Sequence, residues 1–241
     1  MSQEQSLSND AEISVLGSFG LSVAGRVYRG LSHGSQRLLA LLALRDRDMG
    51  RTAIAGTLWP DASEDHAHAS LRSALSRLSS IERTIVRVTQ QELALADGVV
   101  VDIRDARSLA HRLLNPGVNL DGDLSDIAIS TLSLDLLPDW YDDWAIAEAE
   151  DWRQLRLHAL DALAQRLTDA GRFADATSAA LAAVKAEQLR ETAHAALIRV
   201  YLAEGNRAEA MAAYQNYRQL LRTELGLEPT ETIQSLIRDL G

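Results

Sequence analysis

Apolar residues along the first hundred positions change their spacing several times. Ile13-Ser14-Val15-Leu16-Gly17 and Leu21-Ser22-Val23 alternate apolar with small or polar residues, and Arg26-Val27-Tyr28 follows Ala24-Gly25. Period-two runs broken by glycine predict three short antiparallel strands. From Ser35, an N-cap candidate, Leu38, Leu39, Leu41, Leu42 and Ala43 recur at helical spacing and predict a first helix. Thr52 is the N-cap candidate of a second helix through Ile54, Ala55, Leu58 and Trp59. Pro60 closes it, because the residue before a proline is pushed out of helical geometry. A third helix opens at Ser63, with His66 at the capping-box position, and runs through Ala67, Leu71, Ala74, Leu75 and Leu78 to about Ser80. Residues 85–89 and 92–96 then read as a hairpin about Gln90-Gln91. Strands, three helices and a hairpin, in that order, predict a winged helix-turn-helix with an amino-terminal sheet.

The second half keeps helical spacing almost throughout, and it repeats. Gly171-Arg172-Phe173-Ala174-Asp175-Ala176 returns as Gly205-Asn206-Arg207-Ala208-Glu209-Ala210, an offset of 34 residues. By the same offset Leu163 and Leu167 map onto Leu197 and Tyr201, and Ala180 onto Tyr214. That period, with a glycine turn and an alanine five residues on, is the tetratricopeptide signature. Glycine ends one helix and the small alanine lets the two helices of a hairpin approach closely. Such repeats bury their cores only by stacking, so further helices are expected in 105–160 and Thr230–Leu240. The reading divides the chain into a disordered tail (1–11), a winged-helix domain (12–102) and a tetratricopeptide-like domain (103–241). The fold class is mainly α with a small β component.

Charge sharpens this division. The chain of 241 residues carries a formal net charge of −10, yet residues 26–87 hold ten arginines against six acids. An asymmetry of this kind points to one nucleic-acid-facing part, with an ordinary solvated surface as the bland alternative. At 100° per residue, the third helix places Ala67, Leu71, Ala74, Leu75 and Leu78 on one side. Ala69, Ser73, Ser76 and Ser80 lie on the other, flanked by His66, Arg72 and Arg77. Small residues on an outward ridge let a helix backbone come close to a surface. Hydroxyls bond base edges or phosphates, and arginine bridges guanine or grips phosphate.

The run Ser70-Leu71-Arg72-Ser73-Ala74-Leu75-Ser76-Arg77-Leu78 resembles the recognition helix of bacterial transcriptional activators of the SARP (antibiotic-regulatory) type. Leu16-Gly17, Gln36-Arg37-Leu38-Leu39-Ala40-Leu41-Leu42 and Leu58-Trp59-Pro60-Asp61 are similar to the same family. So are Leu137-Pro138-Asp139-Trp140-Tyr141-Asp142-Asp143-Trp144, the Gly-Arg-Phe repeat and Glu224-Leu225-Gly226-Leu227-Glu228-Pro229. The resemblance covers about residues 12–240. It implies an OmpR-like winged helix joined to a bacterial transcriptional activation domain, binding direct repeats in promoter double-stranded DNA and recruiting RNA polymerase holoenzyme, often for biosynthetic gene clusters. It implies a DNA-facing role for Arg72, Ser73, Ser76 and Arg77 in the recognition helix, and for Arg87 and Thr89 in the wing. One departure stands out: Gln90-Gln91-Glu92 occupies the wing turn, where the family usually has a glycine-rich one, and an acid there repels phosphate. Longer relatives carry an ATPase module; no phosphate-loop sequence (Gly-x-x-x-x-Gly-Lys followed by Ser or Thr) occurs here, and nucleotide control is not expected.

Other chemistry is poorly supported. The chain has no cysteine, which removes disulfides, thiolate metal sites and cysteine nucleophiles. His66 and His68 with Glu64 and Asp65 do not share one helical face, so a metal site is disfavoured. No hydrolase elbow, triad or redox site is legible, and neither enzyme activity nor a cofactor is expected. Trp140, Tyr141, Trp144 and Trp152 read as packing residues, with an effector pocket as the alternative. No apolar run is long enough to span a membrane, and Met1 to Asp10 lacks the pattern of a secretory signal. A cytoplasmic, nucleoid-associated activator is expected, binding in tandem or as a homodimer. The alternative is a tetratricopeptide-type adaptor without sequence-specific DNA binding.

Overall fold

The computed structural model describes residues 11–78, 82–115, 117 and 122–238. It divides into two compact units that interleave along the chain: Met1–Asp105 with Asp135–Asp151, and Ala106–Leu134 with Trp152–Gly241.

In the first unit the order is β1 (Ala11–Ser14), β2 (Gly20–Val23), β3 (Arg26–Val27), α1 (His33–Arg45), β4 (Met49–Gly50), α2 (Arg51–Leu58) and α3 (Glu64–Ser76). There follow α4 (Glu82–Ile85), β5 (Val86–Val88), β6 (Glu92–Leu95), β7 (Val100–Val101) and the start of α5 (Asp102–Leu114). The three expected strands pair antiparallel, with Ile13 opposite Leu21 and Val23 opposite Arg26. Ala24 (φ 50°) and Gly25 (φ 73°) turn β2 into β3 with two left-handed residues, the geometry that matches strand twist in a two-residue hairpin. β7 adds to β1 in parallel, giving the order β3-β2-β1-β7. β4 joins the hairpin in a second sheet, β4-β6-β5.

Helix entries differ from the sequence reading in two places. The N-cap of α1 is Ser32, whose hydroxyl accepts the Ser35 N–H. Ser35 lies inside the helix, fully buried, and donates to the Ala74 carbonyl of α3 at 2.9 Å. Gly50 caps α2 without a side-chain bond, and Thr52 lies inside it. Both corrections have one cause: hydroxyl side chains suit a cap and a first turn alike, and the neighbours decide which. Ile85 closes α4 rather than opening a strand, yet its carbonyl still accepts the Ala96 N–H at 2.7 Å. Helix α3 ends at Ser76, short of the expected Ser80, with Arg77 as its C-cap and a turn at Leu78; Ser80 itself lies outside the described residues.

Two features tie down the C-terminal end of β1. The Asp102 carboxylate accepts the N–H groups of Val15 and Leu16 at 3.0–3.1 Å and that of Ile103 at 2.7 Å. Burial pushes its pKa above the ordinary carboxylate value, against the pull of those donors. Beyond β1, Leu16 bridges Leu136, Gly17 N–H donates to the Asp135 carbonyl and Leu137 N–H to Val15. These bonds bring 135–151 into the first unit, although the sequence pattern grouped it with the helical half. Trp140 then packs against Phe19, His33 and Trp144, with ring centroids about 6 Å apart.

The second unit continues α5, then α6 (Asp126–Leu132), α7 (Asp143–Asp169, from Trp152 in this unit), α8 (Phe173–Ala186), α9 (Glu191–Glu204), α10 (Arg207–Leu225) and α11 (Glu231–Ile237). Gly171 (φ 70°) and Gly205 (φ 86°) turn α7 into α8 and α9 into α10 in the left-handed region that glycine adopts without strain. Ala176 and Ala210, each five residues later, are fully buried. The repeat read from sequence is therefore a repeat of backbone geometry. Side chains of α7 close neighbouring helix ends: Arg166 donates to the carbonyls of Leu113 and Asn115, and buried Arg156 to those of Leu132 and Ser133. Cations at such ends satisfy orphan carbonyls and complement the helix dipole. Ile198, Ala210, Tyr217, Leu221 and Ile233 form the core that joins α9, α10 and α11. The whole is mainly helical with two small sheets.

Candidate nucleic-acid interface

Helix α3 forms because its apolar residues recur on one side and its first turn carries Glu64 and Asp65, which complement the dipole. Ala67, Leu71, Ala74, Leu75 and Leu78 are buried against the rest of the first unit. His66, Ala69, Arg72, Ser73, Ser76 and Arg77 are all exposed. Six of the predicted site residues thus share one uncovered surface. Among the described residues neither Arg72 nor Arg77 has an acidic partner. The two histidines diverge: His66 Nδ1 bonds the Ser63 hydroxyl at 2.8 Å, whereas His68 Nε2 lies 3.4 Å from Thr52 Oγ1 and 3.8 Å from Glu64. Ser63 is the N-cap but makes no side-chain bond to the helix backbone; its hydroxyl bonds the His66 side chain instead, so the spacing of a capping box is present without its bonds.

The two wing residues behave differently. Thr89 is exposed, but its hydroxyl closes the wing turn, accepting the Glu92 N–H at 2.9 Å and donating to the Glu92 carbonyl at 3.2 Å. That clamp is how the turn dispenses with glycine: neither Gln90 nor Gln91 has positive φ. Arg87 is ion-paired with Asp48 at 2.5 Å. It lines a groove with Asp46, Asp48 and Arg104, to which no α3 residue contributes.

Sequence reasoning missed Arg51. At the start of α2, its backbone N–H donates to Gln91 and its guanidinium to the Thr89 carbonyl at 3.2 Å. With Thr52 and His68 it lines a groove of about 520 Å³ that runs to Gln90, Gln91 and Glu92. The groove joins α3 to the wing, and Arg51 supplies its cation. Its position just before a cap candidate gave no sign of this, because strand β4, which brings it to the wing, is only two residues long.

Among the described residues no group of three or more His, Cys, Asp or Glu side chains could hold a metal, and no helix is long and apolar enough to cross a membrane.

The family model of the bacterial transcriptional activator domain matches residues 129–240. Regulatory protein AfsR of Streptomyces griseus is 30% identical over 237 residues, an alignment that takes in 88% of this chain and 23% of AfsR. AfsR of Streptomyces coelicolor is 29% identical over 232 residues, with 90% and 23% covered. The chain thus spans under a quarter of the length of these relatives. The structure of Mycobacterium tuberculosis EmbR in complex with a low affinity phosphopeptide shares the fold, with a TM-score of 0.67, 20% identity, and coverage of 95% of this chain and 64% of that one. The alignments to AfsR take in 88–90% of this chain, and so extend well beyond the matched domain into the first unit. The chain is thus similar to SARP-type transcriptional regulators over most of its length, and its residues 129–240 match the bacterial transcriptional activator domain.

Proposed function

We propose that this protein activates transcription by sequence-specific binding to direct repeats in promoter DNA and by recruiting RNA polymerase holoenzyme. Residues 12–102 engage DNA, and 103–241 present the more acidic surface to protein partners. The observation that carries this reading is the exposed ridge of α3, small along its crest and flanked by two guanidiniums that have no acidic partner among the described residues. Such a ridge fits the major groove: Ala69, Ser73 and Ser76 allow close approach, while Arg72 and Arg77 reach base edges or phosphates. His66 sits at the end of the helix from which recognition helices commonly contact bases. The groove through Arg51 extends the same basic surface toward the wing. Two copies on tandem repeats, each held weakly, gain affinity from effective concentration. The protein acts at the nucleoid, in the cytoplasm.

Selection from random duplexes followed by footprinting tests this directly. The expected result is a short motif recurring in one orientation. Binding should weaken steeply with salt, and Arg72→Ala or Arg77→Ala should each cost about 1–3 kcal/mol if the arginine reads a base. Purified holoenzyme should then give more transcript from a template bearing the selected repeats. A protein acting as an adaptor would enrich no motif and show neither response.

A further inference from the structure

The turn between α2 and α3 forms one wall of a cleft that no residue of the α3 ridge lines. Wholly within the first unit, Trp59 and Pro60 lie across from Tyr141, Asp142 and Trp144, with Arg37 also lining a space of about 690 Å³. That volume is in the range of small-molecule sites. Three observations set its chemistry. Tyr141, expected from sequence to be a packing residue, is instead 82% exposed and offers a flat aromatic surface beside Trp59 and Pro60. Asp61, Asp142 and Asp143 also line the cleft, and its one arginine, Arg37, is already paired with Asp142. An anion entering here meets excess negative charge. Finally, Arg37 Nε and Trp144 Nε1 are buried N–H groups with no acceptor. Trp144 is only 8% exposed, so its indole is withdrawn from bulk solvent. Native interiors rarely leave such donors unpaired, and an orphan of this kind marks a place where an acceptor belongs.

We propose that this cleft binds a planar small molecule, uncharged or cationic, that carries a carbonyl or hydroxyl oxygen. Its ring system stacks on Tyr141 and Trp59, its oxygen accepts from the indole of Trp144 or from Arg37 Nε, and the carboxylates select against anionic analogues. Both donors are shielded from solvent, so the oxygen reaches them through a side-chain rotation in the wall. That rotation makes the indole signals reporters of occupancy. The site stands apart from the DNA-facing ridge, and ligand binding is measured without DNA, so failure of either reading leaves the other intact.

The test is a titration of the full chain, followed through its tryptophan indole N–H signals in nitrogen-15 NMR. The probes are chromone, which is planar, neutral and carbonyl-bearing, and chromone-2-carboxylate, its anionic counterpart. Chromone should shift the Trp59 and Trp144 signals saturably at millimolar concentration, and the carboxylate should bind about tenfold more weakly. Tyr141→Ala changes a side chain that the fold leaves in solvent; it should leave thermal unfolding unchanged and weaken chromone about tenfold. Absence of a saturable shift, equal affinity for the two probes, or full affinity in Tyr141→Ala would each overturn the proposal.

Discussion

Asp48 holds the Arg87 guanidinium in an exposed ion pair. Exposed pairs are worth about 0–1 kcal/mol, so removing one partner perturbs the fold little. This makes Asp48→Ala an informative variant. If Arg87 serves the wing in DNA binding, freeing it should tighten promoter binding and steepen the salt dependence by about one phosphate contact, as read by gel shift. If Asp48→Ala and Arg87→Ala both leave affinity unchanged, Arg87 is a surface ion-pair residue and nothing more. His194 carries the opposite kind of burden. It is buried, stacked on Tyr217 at 4.2 Å between ring centroids, and its Nε2 bonds the Gln188 carbonyl at 2.9 Å. Burial lowers its pKa below the ordinary 6.5, partly offset by that hydrogen bond. The unfolded chain therefore takes up the proton first on acidification. The contribution of neutral His194 is complete above its unfolded value and is lost as pH falls toward its folded one. Between about pH 7 and pH 5 the melting temperature should drop, and less so in His194→Gln, followed by circular dichroism.

At the scale of elements, turns carry information that helices do not. Gly205 ends α9 at φ 86°, where an L side chain is strained. Ala24 occupies the same region at φ 50°, in the β2–β3 hairpin, without the freedom of glycine. Gly205→Ala should therefore destabilise by about 1–2 kcal/mol, whereas Ala24→Gly should be neutral or stabilising. Denaturant melts of the two variants check this, and equal signs for both would contradict the backbone argument. The wing turn shows a third solution. Thr89 fixes it through its hydroxyl, so Gln90-Gln91 replaces glycine without left-handed backbone.

At the scale of the whole molecule, a chain of net charge −10 presents ten arginines within 26–87, among them Arg72 and Arg77, which have no acidic partner among the described residues. Net charge governs long-range encounter, and the local field of the ridge governs docking, so an acidic protein can still hold DNA where its arginines gather. Much of this was determined by sequence alone. The apolar face of α3, the ridge opposite it and the glycine-hinged 34-residue repeat are periodic features, and periodicity is local. The tertiary structure decided what no local pattern encodes. It took 135–151 into the first unit through backbone bonds to Val15 and Gly17, and added β7 to β1 in parallel. It buried Ser35 against Ala74, paired Arg87 with Asp48, brought Arg51 to the wing and left Tyr141 in solvent. Each of these depends on partners far along the chain. Their encounter is set by how elements pack, whereas a helix or a hairpin is set by residues within a turn or two of one another.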